Sequence, residues 1–289
     1  MKYILHSLWL LSILFFAACS EDNDPDLEAP VIAVEIPENE QRFEAGNNIP
    51  FNALYTDNEA LSSTNIEIHN AFDDHGHGRK ADDPSLSKFA YKETFEMPPD
   101  KSYLMDLTNE ITIPENAMAG PYHFIVQALD AAGNATSFQD GSNIELTIFL
   151  TNNSMAQITI ENLENGELEI EIDEPLIVMG TITDPEHPTL HGFEEILITL
   201  GEDHEDEHDH GRIMEDHLFE IEIHDDEISE YENPDGSLDI ESMIGYTLNA
   251  STAAELIAEE LDHLTLEISV LDKQGNIAIE IIPVHLHLE

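Results

Sequence analysis

The stretch Tyr122-His123-Phe124-Ile125-Val126-Gln127-Ala128-Leu129-Asp130-Ala131-Ala132-Gly133-Asn134 has a counterpart far along the chain. That counterpart reads Leu264-Thr265-Leu266-Glu267-Ile268-Ser269-Val270-Leu271-Asp272-Lys273-Gln274-Gly275-Asn276. In each, Tyr122, Phe124, Val126 and Ala128, or Leu264, Leu266, Ile268 and Val270, put an apolar side chain at every second position. Alternation with period two is the pattern of a strand with one buried face. The closing Asp-x-x-Gly-Asn supplies the turn residues of a hairpin, so a second strand is expected after each, over residues 143–150 and 277–287. His123 falls opposite the apolar residues of its strand, on its outward face.

Working outward, both halves open with short apolar runs, at residues 32–36 and 158–160. Further runs at 51–55 and 176–182 lead into the turns Asp57-Asn58-Glu59 and Asp184-Pro185-Glu186. Strands at 65–69 and 195–200 follow. Short strands punctuated by turns predict an all-β chain of two tandem β-sandwiches. The expected organisation is a signal peptide at 1–18, an acidic tether at 19–28, one sandwich at 29–150, a linker at 151–154 and a second sandwich at 155–289. The arrangement resembles immunoglobulin-like and fibronectin type III-like modules, and Gly120-Pro121-Tyr122 is similar to the corner that precedes a late strand in them. One helix is predicted over 252–263, with Thr252 and Glu255 at capping-box spacing and Leu256, Ile257 and Leu261 on its buried face.

The amino terminus has the form of an export signal: Lys2, an apolar run from Leu8 to Phe16, then Ala17-Ala18-Cys19. The last three residues resemble a bacterial lipoprotein box, which implies lipidation of Cys19, the single cysteine. The acidic segment behind it has no periodicity and reads as a solvated tether. It is similar to segments that export lipoproteins of Bacteroidetes-type bacteria to the outer face of the outer membrane. The resemblance implies a lipid-anchored, surface-exposed protein of the outer membrane.

Nine basic residues stand against sixty-two acidic ones, a formal charge of −53. Such a chain repels nucleic acid and anionic headgroups, and it gathers cations around itself. Charge alone does not account for the histidines. Asp74-His75-Gly76-His77-Gly78-Arg79 in the first half is echoed by Glu207-His208-Asp209-His210-Gly211-Arg212 in the second, and these hold the two Gly-Arg steps of the chain. Imidazole and carboxylate form a ligand set for divalent transition metals. In the first loop His69, His75 and His77, with Asp73 or Asp74, would suit zinc, or copper(II) and nickel. In the second, His204, His208 and His210 are the candidates, joined by His217 on the return strand. Calcium is a further candidate, since Asp235-Gly236-Ser237-Leu238-Asp239 is an oxygen-rich turn that lacks the full EF-hand spacing.

His204-Glu205-Asp206-Glu207-His208 matches the H-E-x-x-H pattern of zinc peptidases, but that chemistry needs a helix with both histidines on one buried face. Here the motif follows a predicted strand and Gly201, with no apolar face, so a zinc hydrolase is the weakest reading and no enzyme is expected. Glycan binding or adhesion, with metal in a structural role, is the stronger alternative. Against it, the lone tryptophan, Trp9, lies in the signal peptide, which leaves few aromatic platforms for sugars.

The residues Ile68, His69, Asn70, Phe72, Asp73, His75 and His77 are similar to a segment of an uncharacterised family of Bacteroidetes surface lipoproteins. That family carries an immunoglobulin-like domain of unknown function, which the repeat would present here as a tandem pair. The resemblance implies location and architecture, not activity. The expected function is capture, buffering or delivery of zinc or copper at the cell surface, with an outer-membrane transporter as candidate partner.

Overall fold

A computed structural model describes residues 25–72, 83–185, 190–202, 217–258 and 263–287. The first half contains β1 (Val31–Ile36), β2 (Arg42–Glu44), β3 (Asn48–Thr56), β4 (Leu61–Asn70), β5 (Tyr91–Glu96), β6 (Ser102–Thr112), β7 (Gly120–Asp130) and β8 (Ile144–Thr151). They form one sheet in the order β1-β3-β6 and a second in the order β2-β8-β7-β4-β5. All neighbours are antiparallel except β2 with β8. Apolar side chains from both sheets meet in one core, where Phe51 of the first sheet stacks on Phe124 of the second with ring centroids 5.7 Å apart.

The second half repeats this with β9 (Gln157–Ile160), β10 (Leu168–Glu171), β11 (Gly180–Thr183), β12 (Phe193–Glu202), β13 (His217–His224), the short helix α1 (Asp225–Ile228), β14 (Leu238–Asp239), helix α2 (Ala250–Ala258), β15 (His263–Asp272) and β16 (Ile277–His287). Its sheets run β14-β11-β9 and β10-β16-β15-β12-β13, with β10 parallel to β16. Strand for strand this is the order of the first half, over a separate apolar core. The molecule is therefore a tandem pair of β-sandwiches with immunoglobulin and fibronectin type III-like strand order.

Two local expectations change. Ordered β-pairing in the 176–182 run is confined to β11, from Gly180 onward. Ahead of it the Asn162 side chain accepts from Met179 N–H and donates to the Ile177 carbonyl, while Leu176 N–H donates to Tyr246. Those bonds replace a ladder while Leu176 and Val178 still bury. Helix α2 also starts before Thr252, because the Asn249 side chain accepts from the backbone of both Ser251 and Thr252 and caps it there. The chain is back in strand by His263.

The Asp-x-x-Gly-Asn turn does two jobs. In the first half Asp130 accepts from Gly133 and Asn134 N–H groups, and Asn134 Nδ2 reaches the Asp26 carbonyl. In the second half Asp272 fixes Asn276 in the same way, and Asn276 Oδ1 accepts from Ala119 N–H at 3.0 Å and Asn152 Nδ2 at 2.8 Å. Ile277 N–H donates to the Ala119 carbonyl, and Arg42 crosses to the Ile279 carbonyl at 2.7 Å. The repeated turn thus becomes the joint between the two sandwiches.

Candidate metal centre

His69 is the last residue but one of β4, whose chain continues into the first histidine-rich loop. Its cross-strand neighbour is His123 on β7, and β7 pairs in turn with β8. Alternation sends Ile68, Tyr122, Phe124 and Ile148 into the core and leaves His69, His123, Glu67 and Glu145 on the outer face. The two imidazoles lie 5.3 Å apart, centroid to centroid, tilted by 48°. His123 Nδ1 is 3.0 Å from Glu145 Oε1. His69 Nδ1 is buried with no hydrogen-bond partner among the described residues, and its nearest carboxylate, Glu67, stands 3.8 Å away.

His123 faces outward, as alternation places it, and is nevertheless shielded from solvent, being only 6% exposed. β7 sits in the middle of its sheet, so side chains on β4 and β8 close over it from both sides. His123 and Glu145 are therefore the candidate residues that the sequence did not single out. The available signal was the register: two strands that each carry one histidine become neighbours only once their pairing is known.

The entrance to the loop is pinned. Phe72 packs edge-on against Tyr122, with ring centroids 5.4 Å apart, and lies over Gly120. A side chain at position 120 would put its Cβ 2.4 Å from the Phe72 ring, and Gly120 has a φ of 144°, so only glycine fits. Tyr122 Oη donates to the Met118 carbonyl and accepts from Phe89 N–H, which forms the expected corner. Burial pushes the Tyr122 hydroxyl up to about 12.

Asp73, Asp74, His75 and His77 lie outside the described residues, as do His204, His208 and His210 of the second loop and Cys19. His217 opens β13 opposite Gly201, beside the second loop, and its side chain is outside the description. His224, at the other end of that strand, pairs with Glu195 and is far from His217, at about 3.3 Å per residue. There it stands between two carboxylates, 3.7 Å from Glu195 and 3.3 Å from Glu222. At the positions of His69 and His123 the second sandwich has Gly201 and Thr265, and in place of Glu145 it has Ile281. The second sandwich has a cross-strand histidine pair of its own at a different register position, His263 with His285 across β15 and β16.

A third group, Asp26, Asp57 and Asp130, brings three carboxylate oxygens within 4.8 Å of one another at the opposite pole of the first sandwich. Burial would raise Asp130, but bonds from Asn134, Gly133 and Ala132 outweigh it and hold its carboxyl below the usual range. The Asp235 turn is closed internally: its carboxylate accepts from the Ser237 N–H and hydroxyl. Among the described residues no helix is long and apolar enough to cross a membrane.

No curated protein matches the sequence. Similar solved structures include fibronectin(III)-like modules of Clostridium thermocellum CbhA, at 10% identity and a TM-score of 0.25, over 89% of this chain and 94% of that one. Titin domains z1z2 in complex with telethonin give 12% identity and a TM-score of 0.19, over 91% and 98%. A tandem pair of titin Ig domains gives 8% and 0.22, over 90% and 99%. Residues 17–147, a stretch that ends within β8 of the first sandwich, match the model of a family described as a domain of unknown function (DUF4625).

Proposed function

We propose that the protein is a lipid-anchored surface protein of the outer membrane that binds divalent transition metal, zinc or copper(II), through its histidine-rich loops. The observation that carries this is the position of His69. It stands at the mouth of the first loop, with a buried ring nitrogen that no described residue satisfies and a second imidazole 5.3 Å away. An unsatisfied buried acceptor or donor costs about 1–3 kcal/mol, and a metal ion would remove that cost. His75 and His77, with Asp73 or Asp74, are the loop residues offered to the same ion. The second loop, through His204, His208, His210 and His217, holds metal less tightly, because Gly201 and Thr265 stand where the first sandwich has His69 and His123. Capture or buffering, with delivery to an outer-membrane transporter, is the role that such sites serve on an anchored protein.

The anchor rests on Ala17-Ala18-Cys19 behind an apolar run. Cys19→Ser should leave the protein without incorporated labelled palmitate, either released as soluble protein or left as unprocessed precursor. Palmitate incorporation by that variant would contradict the anchor.

Metal binding is tested by titrating the mature protein with zinc, copper(II), nickel and calcium. Transition metals should saturate defined sites that His75→Ala/His77→Ala weakens. Equal binding of calcium and zinc, unaffected by the double substitution, would reduce the loops to an acidic surface.

A further inference from the structure

We infer that the first sandwich carries a transition-metal site built on its sheet, with His69 and His123 as ligands of one ion and Glu145 as the residue that positions His123. The inference rests on the metal-binding reading above for the class of ion and for His69, and it adds His123 and Glu145, which the loops do not contain.

The repeat provides an internal control. A buried histidine beside a buried glutamate could serve the fold alone, as a structural ion pair. Yet the second sandwich builds the same sheet, in the same register, with Thr265 and Ile281 at those two positions. The fold therefore does not need the pair, and taking two ionisable groups out of water is unfavourable unless something is gained. His123 and Glu145 are 8% and 15% exposed at their side chains, so that desolvation is nearly complete.

The geometry agrees with shared ligation. Two imidazoles on one tetrahedral ion, at about 2.0–2.1 Å per nitrogen, hold their ring centroids about 5 Å apart. Those of His69 and His123 are 5.3 Å apart. A ligating histidine commonly gives its other ring N–H to a carboxylate, which fixes the tautomer and raises the basicity of the ligating nitrogen. Glu145 at 3.0 Å from His123 Nδ1 fills that role, so Nε2 is the ligating atom of His123. Glu67 is the nearest carboxylate to His69, at 3.8 Å, and is itself paired with Lys92. Imidazole ligands suit zinc, and nitrogen-rich ligation suits copper(II).

The test uses the full mature chain and zinc alone, in competition with a chromophoric chelator, at 0.5 M salt. Four proteins are compared with wild type: His69→Ala, His123→Thr, Glu145→Gln and His75→Ala/His77→Ala. Threonine at 123 copies the second sandwich, and His69 is half-exposed, so both variants keep the fold, with circular dichroism as the control. His69→Ala and His123→Thr should each lower zinc affinity at least tenfold, and Glu145→Gln by about 10–100-fold with unchanged stoichiometry. A merely structural Glu145 would move stability and leave affinity alone. If the loop double variant loses the site while His69→Ala and His123→Thr keep wild-type affinity, the sheet site is wrong and the loop reading stands. If the strand variants lose it and the loop variant keeps it, the sheet site holds and the loop reading fails. Saturable binding by none of the five proteins, wild type included, overturns both.

Discussion

Tyr122 shows how one residue serves both the fold and the candidate site. Its ring packs on Phe72 at the loop entrance, while its hydroxyl joins Met118 to Phe89. Tyr122→Phe keeps the ring and removes both bonds, leaving the Phe89 N–H unsatisfied beside the core. The expected loss is about 1–3 kcal/mol in urea unfolding, with the core otherwise intact. A variant as stable as wild type would show that the corner is ornamental. This residue was legible, because glycine, proline and tyrosine in succession ahead of an alternating strand mark a corner. His123 was legible only as to side. Period two gave the correct face, but burial on that face depends on strands β4 and β8, which are remote in sequence.

Elements built from the same motif do not behave alike. Asp130 and Asp272 begin matching Asp-x-x-Gly-Asn turns and receive matching bonds from their own turn. Asp130 is held below the usual carboxylate range. Asp272 is fully buried, and burial, with the nearby charge of Asp184, pushes it up to about 6 against the bonds from Asn276 and Gln274. The signs follow from linkage: a group that binds its proton more tightly when folded stabilises the fold as pH falls. Asp272 therefore penalises the fold above about pH 6, and the penalty lifts as pH drops towards 4. Asp130 acts oppositely, and its contribution is lost only as pH falls through its lowered value. Asp272→Asn removes one titration, so the stability of wild type relative to the variant should rise by up to about 3 kcal/mol between pH 7 and 4. A constant difference across that range, in urea unfolding at several pH values, would contradict the assigned burial. The turns were legible from Gly-Asn and alternation. The different surroundings of Asp272 were not, because the charge beside it, Asp184, comes from a turn remote in sequence. Strand β11 and the start of α2 departed from expectation for a related reason: side chains of Asn162 and Asn249 took over backbone bonds that periodicity cannot assign.

At the scale of the whole molecule, duplication is the organising fact. Two sandwiches share one strand order, and the second has turned its Asp-x-x-Gly-Asn hairpin into the joint with the first. Divergence lies at the mouths of the histidine loops, where the first sandwich has two imidazoles and a glutamate and the second has glycine, threonine and isoleucine. A formal charge of −53 surrounds both, and it attracts any divalent cation without regard to geometry. Condensed cations are released by salt, whereas an ion ligated by imidazole is not, because the screening length shrinks from about 10 Å at 0.1 M to 3 Å at 1 M salt. The most direct test of histidine ligation is therefore zinc titration of the mature protein at 0.1 M and at 1 M sodium chloride, with calcium alongside. The account predicts a saturable zinc site whose affinity changes less than tenfold between the two, while calcium binding fades. Zinc binding that collapses with salt in parallel with calcium would contradict it.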